Sequence, residues 1–321
     1  MSGHSRINDE QRQRLLETLK RNLGAGILGG LNDKDVIEVM LNQDGHIWFD
    51  YLGQGMKDSG YTLSPGAAML VMENVAAMLG VVVTRDHPIV EGELPLDGSR
   101  FEGLIPPVVE SPVFAIRKKA VKIFTLSDYV RQGIMTEQQA NLLRGAVKGA
   151  QNVLVIGGTG SGKTTLLNAL LQETSVTCGH ERMVVIEDTR ELQCSMKNSV
   201  LLRTSDAMDM TALLRATMRL RPDRIVVGEM RGKEALALLK AWNSGHSGGC
   251  STIHADSVAD GLAKLDEYVQ EANVPSKIKL IGRAVHFVVF IEKTATGRKI
   301  SEMGVVKGYS RELEEVIIEM V

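Results

Sequence analysis

One nine-residue segment constrains the fold of this 321-residue chain more than any other part of the sequence. The segment GGTGSGKTT, residues 157–165, matches the phosphate-binding pattern G-x-x-x-x-G-K-[ST] at every fixed position. The apolar run Val153 to Ile156 before it predicts a buried strand, and the apolar pattern from Leu166 onward predicts a helix. Strand, glycine-rich loop and helix in this order predict a P-loop for a nucleoside triphosphate, which a chance glycine-rich turn would not explain.

The residue types of this loop each have a physical task. Its glycines let successive backbone N–H groups turn toward the β-phosphate, and the next helix adds the positive end of its dipole. Lys163 is expected to reach the β- and γ-phosphates, and the Thr164 hydroxyl to bind Mg²⁺. No NKxD motif for guanine follows, so ATP is favoured over GTP. The predicted nucleotide-binding residues are Gly157, Gly158, Thr159, Gly160, Ser161, Gly162, Lys163, Thr164 and Thr165.

The length predicts two domains, because a single core rarely grows beyond about 250–300 residues. We expect an α+β N-terminal domain with an antiparallel sheet over residues 1–120 and a linker over 121–145. An α/β domain with a mainly parallel sheet is expected over 146–321. In the N-terminal domain the pattern predicts a helix over 9–23, a glycine-rich link over 24–30, a helix from Pro65, and strands at 36–41, 46–51, 81–84, 89–94, 100–105 and 113–116.

Charge and composition exclude several classes of protein. A net charge of −2 argues against a protein that binds nucleic acid mainly through a basic face. Three cysteines without a CxxC pair are typical of a reducing compartment, and the polar N-terminus predicts no signal peptide. The most apolar segment, residues 67–83, is interrupted by Glu73 and Asn74, so we expect no transmembrane helix and a cytoplasmic protein.

Two carboxylates follow predicted strands after the P-loop. Glu187 ends the strand of VVIEDTREL, and Glu229 follows the strand of IVVGEMRG. An acid at a strand end beside phosphates can position the attacking water or bind Mg²⁺, and the choice between the two residues stays open. Ordinary solvated turns are the alternative explanation.

Arginine and histidine side chains complete the candidate site. Arg215 and Arg219 lie four residues apart on one predicted helical face, with Arg221 and Arg224 close behind. They can bind phosphate or form a surface face. His254 ends a short strand, where it could sense the γ-phosphate. The spacing of His246, Cys250 and His254 also leaves a metal site or a structural histidine pair open.

In order and spacing, GGTGSGKTT, EDTREL, LRATMRLRPDRIVVGEMRG and GCSTIHADS resemble the Walker A, Asp-box, Walker B and His-box motifs of the secretion and conjugation traffic ATPases. The resemblance extends to LPLDGSRFEGLIPP and FAIRKKA. It implies a RecA-like ATPase domain behind a PAS-like N-terminal domain, and a homo-hexamer that uses ATP and Mg²⁺. Many relatives carry Asp where this chain has Gly232.

The same resemblance implies roles outside the P-loop. Arg100 and Arg117 match the N-terminal arginines that close onto the phosphates. The expected partners are inner-membrane secretion-channel proteins, with peripheral contact at the inner face of that membrane and no stable sequence-specific nucleic-acid binding. A nucleic-acid translocase or helicase on the same motor fold is the alternative function, and a nucleotide-gated scaffold without turnover is a third.

Overall fold

The computed structural model describes residues 9–52, 54–119, 123–205, 207–295 and 297–321. The chain forms two compact units, Met1–Val121 and Lys122–Val321. Within the described residues, no helix combines the length and apolar character that a bilayer crossing requires.

The N-terminal unit is a six-stranded antiparallel sheet with two helices on one face. The strand order is β3-β2-β1-β6-β5-β4. Its elements are α1 (Asp9–Asn32), β1 (Val36–Leu41), β2 (His46–Tyr51), β3 (Gly55–Thr62), α2 (Pro65–Leu79), β4 (Ile89–Glu93), β5 (Arg100–Leu104) and β6 (Val113–Arg117). Ser64 caps α2 and Pro65 is in its first turn, as the sequence pattern predicts.

Two predictions for this unit are wrong. The glycine-rich segment 24–30 is not a link, because α1 continues through it with a single break at Gly24. A Cβ at Gly30 would lie 2.6 Å from the Phe49 ring, so this glycine allows close packing of helix on sheet. Residues 81–84 form no strand; the helix ends at Gly80, and Val82 is 75% exposed.

The C-terminal unit is built on an eight-stranded sheet of order β14-β13-β12-β7-β11-β10-β8-β9. The strands from β12 to β9 are parallel, and β13 and β14 extend the edge antiparallel, so the expectation of a mainly parallel sheet is confirmed. The strands are β7 (Val153–Ile156), β8 (Met183–Glu187), β9 (Ser199–Arg203), β10 (Arg224–Glu229), β11 (Cys250–Ile253), β12 (Phe287–Thr294), β13 (Gly297–Ser310) and β14 (Glu315–Met320).

Helices cover both faces of this sheet. Successive side chains of the central strands point to opposite faces, and each face is packed in its own hydrophobic core. Val153 and Val155 belong to one core, and Leu154 and Ile156 to the other. Helices α3 to α5 pack on the first face and α6 to α9 on the second. They are α3 (Leu126–Arg131), α4 (Glu137–Lys148), α5 (Lys163–Thr177), α6 (Met210–Thr217), α7 (Glu234–Trp242), α8 (Val258–Gln270) and α9 (Ile278–Ala284).

The segment expected to be a linker, residues 121–145, contains structured chain from residue 123 onward. It holds α3 and most of α4, and Tyr129 and Leu143 are buried in the core of the C-terminal unit. Capping boxes at Thr125 and Thr136 start both helices. The polar exposed faces of these helices, with residues such as Gln138, give the sequence its linker-like composition.

Asn152 and His286 join the P-loop strand to its neighbours at the opposite end of the sheet. The Asn152 side chain accepts bonds from the backbone N–H groups of Gly248 (2.7 Å) and Gly249 (3.0 Å) and donates to the carbonyl of Ala284 (2.7 Å). The Asn152 backbone N–H donates to His286 Nδ1 at 3.0 Å. This bond requires a neutral imidazole, and burial lowers the pKa of His286 accordingly.

We expect acid to destabilise the protein through this histidine. Because the pKa of His286 is lowered in the folded state, the unfolded chain takes up the proton first as the pH falls. The neutral histidine therefore contributes its full share of the free energy of unfolding above the ordinary pKa of 6.5, and this share is lost as the pH falls below that value. His286→Asn offers an Oδ1 acceptor that does not titrate. Its free energy of unfolding, from denaturant titrations on both sides of this pH, should depend less on pH than that of the parent. Equal pH dependence in both proteins would exclude this role of His286.

Candidate functional site

The P-loop connects the end of β7 to the first residue of α5. Gly162 stands at the helix N-cap with a φ of 102°, a left-handed conformation that other residue types rarely adopt. The following residue, Lys163, begins α5, and the buried side chains of Leu166, Leu167 and Leu170 fix the helix against the sheet. The helix N-terminus therefore opens at the loop, where its dipole favours an anion.

Lys163 is held inside this loop by three acceptors. Its Nζ donates to the carbonyl oxygens of Gly157 and Gly158, each at 2.9 Å, and lies 3.1 Å from Nδ1 of His254. The residue is 6% exposed. A buried ammonium needs such acceptors because its desolvation is costly, and phosphate oxygens can replace them when a nucleotide binds.

The sheet brings His254 and Glu229 to the same edge as the P-loop. Strands β7, β11 and β10 are parallel neighbours, so their carboxyl ends lie side by side. Glu229 is the last residue of β10, and His254 directly follows β11. His254 Nε2 lies 2.6 Å from Oε1 of Glu229. Three predicted site residues, Lys163, His254 and Glu229, thus form one connected group.

The contacts of His254 fit a neutral imidazole. Burial and the adjacent Lys163 ammonium lower its pKa, and these effects outweigh the opposing one of Glu229. The two contacts assign the tautomer, since Nδ1 must accept from Lys163 while Nε2–H donates to Glu229. The imidazole therefore connects the P-loop lysine to the acid at the end of β10.

Arg231 contacts the other oxygen of Glu229, and sequence reasoning did not predict this. Its Nε and Nη2 lie 2.6 and 2.5 Å from Oε2 of Glu229. Its Nη1 lies 3.8 Å from Oδ2 of Asp188, which directly follows β8. The sequence carries one signal for this contact: Arg231 comes two residues after Glu229, and a side chain of that length can reach the end of the neighbouring strand β8.

Glu187, the other candidate acid, has a different environment. It ends β8, is 7% exposed, and its Oε1 accepts bonds from the backbone N–H groups of Glu191 (3.0 Å) and Leu192 (2.8 Å). Burial raises its pKa despite these bonds. A Cβ placed on Gly228 would lie 3.2 Å from Cγ of Glu187. Glu187 therefore packs beside β10, the strand that carries Glu229.

The residues here fit a magnesium ion of the kind that nucleotides bring with them. Mg²⁺ prefers oxygen ligands and usually binds one or two protein groups together with phosphates and water. The half-buried Thr164 hydroxyl and the Glu229 carboxylate are such oxygens. Among the residues that the structure describes, no three His, Cys, Asp or Glu side chains converge as a metal site, and His246 Nδ1 lies 2.8 Å from the carbonyl oxygen of Pro222.

The arginine cluster differs from its sequence-based prediction. Helix α6 ends at Thr217, so Arg215 and Arg219 do not share one continuous helical face. Arg224 is 1% exposed; it pairs with Glu181 and donates to the carbonyl of Gly248, so it is part of the core and not available to a phosphate.

Another arginine reaches the P-loop from the β12–β13 hairpin. Arg298 Nη2 lies 3.4 Å from the carbonyl oxygen of Gly160, and a Cβ at Gly162 would lie 3.0 Å from Arg298 Cδ. Long sequence separation concealed this residue, because it lies 138 positions after Gly160.

Arg100 and Arg117 lie in the N-terminal unit, next to each other on adjacent strands. They are directly paired in the register of β5 and β6. The same row continues to Glu38 and Asp50 on one side and to Glu93 on the other. Residues directly opposite in a sheet point to the same face. Two arginines thus share one face of the sheet and are flanked by acids.

Known proteins resemble this chain over most of its length. The sequence profile of the family described as "Type II/IV secretion system protein" matches residues 26–296. A probable conjugal transfer protein TrbB of Sinorhizobium fredii is 47% identical over 290 residues, which are 90% of this chain and 89% of that protein. The conjugal transfer protein TrbB of Rhizobium radiobacter is 45% identical over 296 residues, covering 92% and 91%.

A solved structure supports the fold. The ATPase DotB of Legionella pneumophila superimposes with a TM-score of 0.60 at 17% identity, over 98% of this chain and 84% of that one.

Proposed function

Because the chain belongs to the type II/IV secretion ATPase family, we propose that its ATP hydrolysis powers a conjugal transfer or type IV secretion apparatus. The membership makes it a P-loop ATPase. The two relatives with 45% and 47% identity are named as conjugal transfer proteins and match this chain nearly from end to end, which supports the transfer role. The connected group of Lys163, His254 and Glu229 at the P-loop is the observation that carries the proposal.

The contacts of this group suggest how nucleotide starts the reaction. Phosphate oxygens of ATP compete for Lys163 Nζ with two loop carbonyls and with His254. Once Lys163 turns to the phosphates, Nδ1 of His254 loses its donor. The imidazole can then rotate toward the γ-phosphate and release Oε1 of Glu229. Binding of the triphosphate would thereby free a carboxylate oxygen close to the phosphate that reacts.

The reaction is an in-line attack of water on the γ-phosphate. The water oxygen bonds to phosphorus, the bond to the β–γ bridging oxygen breaks, and ADP leaves with that electron pair. Glu229 or Glu187 positions the water and accepts its proton, and burial, which raises the pKa of Glu187, favours proton uptake by that carboxylate. Thr164 would hold Mg²⁺, joined by Glu229 where Glu187 is the residue that acts on the water, and the ion would neutralise charge on the phosphates.

Arg100 and Arg117 would neutralise charge on the phosphates in the assembled enzyme. Their side-by-side place on β5 and β6 presents two permanent positive charges on one face. The acids in the same row can balance these charges until phosphate replaces them. We propose further that the enzyme is a ring of six copies, which binds secretion-channel proteins at the inner face of the inner membrane.

Particle counting tests the assembly and its role together. With ATP and Mg²⁺, we expect mass photometry and negative-stain images of the purified protein to show rings of six. Vesicles of inner-membrane lipid or channel proteins should then stimulate phosphate release. Filaments or monomers at all protein concentrations, together with a rate that rises on single-stranded DNA and falls with added salt, would favour the nucleic-acid translocase.

A further inference from the structure

We propose that Arg231 is the positioning residue of Glu229: it holds Oε2 throughout the catalytic cycle, so that Oε1 alone faces the phosphate site. Nothing in the motif pattern assigns this arginine a task. The inference rests on the proposed role of Glu229 and follows from the way its two oxygens are occupied.

The two oxygens of Glu229 have partners of different character. Oε1 is 2.6 Å from His254 Nε2, and this imidazole is in turn bound to Lys163, whose ammonium must move when phosphate arrives. Oε2 receives both Nε and Nη2 of Arg231, neither of which touches the P-loop in the described contacts. Nucleotide binding therefore disturbs the partner of Oε1 and leaves the partner of Oε2 in place.

The backbone around Arg231 is held firmly, as a positioning residue requires. The preceding residue, Met230, is fully buried, and its N–H donates to the carbonyl of Thr252 at 3.0 Å. The N–H groups of Arg231 and Gly232 both donate to Oε1 of Glu234, at 2.6 and 2.9 Å. This anchoring lets the guanidinium direct Glu229 without movement of the main chain.

Both the charge and the length of the Arg231 side chain are needed to hold Glu229 in this position. Its fork gives two N–H donors to one carboxylate oxygen, while Nη1 extends to within 3.8 Å of Asp188. Asp188 is itself held, because it accepts a bond from the Thr204 hydroxyl at 2.9 Å. Arg231 thus ties the acid at the end of β10 to the end of β8. A lysine could neutralise Glu229 but could not form this double contact.

A side chain at position 232 would leave the backbone anchor of Arg231 in place. A Cβ at this position would lie 2.6 Å from Oε2 of Glu271 and 3.6 Å from Oε2 of Glu234. The carboxylate of Glu271, the end of a flexible side chain, would have to move, whereas the Glu234 carboxylate that anchors the backbone of Arg231 lies at an ordinary contact distance. The anchor of the Arg231 backbone therefore does not depend on glycine at position 232.

Steady-state kinetics of Arg231→Gln test the proposal. We expect kcat to fall about tenfold or more, because a small displacement of a reacting group is costly in rate. The affinity for a fluorescent ADP analogue and the melting temperature should stay close to those of the parent. Arg231→Lys should recover part of kcat. Lys233→Gln, which removes an exposed cation that pairs with Asp209 nearby, serves as the control and should leave kcat unchanged.

Variants of Glu229 separate this inference from the proposed function. Glu229→Asp keeps a carboxylate but withdraws it by one methylene, so Arg231→Gln should cost much less in that background than in the parent. If Arg231→Gln keeps kcat within twofold of the parent, or if ADP affinity and melting temperature fall with the rate, the positioning role is wrong. If Glu229→Gln itself hydrolyses ATP at the parental rate, the role of Glu229 fails first.

Discussion

Lys163→Ala is expected to lower ATP hydrolysis by at least about 10²–10³-fold, the usual effect of removing one preorganised donor from a developing charge. Lys163 Nζ contacts both loop carbonyls and His254, so its loss removes the charge that faces the phosphates and also the link to Glu229. Phosphate release under saturating ATP and Mg²⁺ measures the effect.

The variant should remain folded, because the packing of α5 does not depend on this lysine. Leu166, Leu167 and Leu170 stay buried, and α5 retains its contact with the sheet. Circular dichroism and the melting temperature check this expectation. Lys148→Ala, which removes an exposed lysine at the end of α4, is the matched control and should keep full activity. Full activity of Lys163→Ala would remove the P-loop assignment itself.

The sequence predicts those parts of the C-terminal unit in which one strong signal dominates. Strands β7, β8, β10 and β11 are buried on both faces and appear as short apolar runs, so their positions agree with the prediction to within a few residues. The P-loop was evident because its chemistry allows few residue types.

Elements with weaker patterns were missed for identifiable reasons. Strand β3 is a polar edge strand with little burial, so no alternation marks it. Strand β9 lies at the other sheet edge and is likewise only partly buried. Helix α8 is amphipathic, but the glycine at position 261 lies inside it and weakens the helical signal of its sequence.

The site shows the same division between local and distant information. His254 and Glu229 could be predicted because the carboxyl ends of neighbouring parallel strands meet at one edge. The contact between Arg231 and Glu229 could not be predicted, because it depends on the rotamer that the Arg231 side chain adopts. Arg298 could not be predicted because the eight-strand order that brings it to Gly160 depends on contacts across the whole unit.

Arg117→Ala is expected to reduce hydrolysis by about 10³–10⁵-fold, or roughly 4–7 kcal/mol in the barrier, if this arginine neutralises the transferring phosphate. The exposed position of its side chain on β6 leaves the guanidinium accessible. Arg117→Lys should recover only part of the rate, since an ammonium lacks the planar fork. Activity of Arg117→Ala within about twofold of the parent would show that the assignment is wrong.

The neighbours of Arg117 permit a control for local damage to the sheet. Burial raises the pKa of Glu38, which is directly paired with Arg117, and Asp50 on the next strand raises it further. Removing Arg117 therefore leaves a half-buried carboxylate without its nearest positive charge, which destabilises the ionised form. Glu38→Gln relieves this cost. If the loss of activity came from a disturbed sheet, the double variant Glu38→Gln/Arg117→Ala would regain it; if it came from the missing positive charge, the double variant stays as slow as Arg117→Ala while its melting temperature recovers.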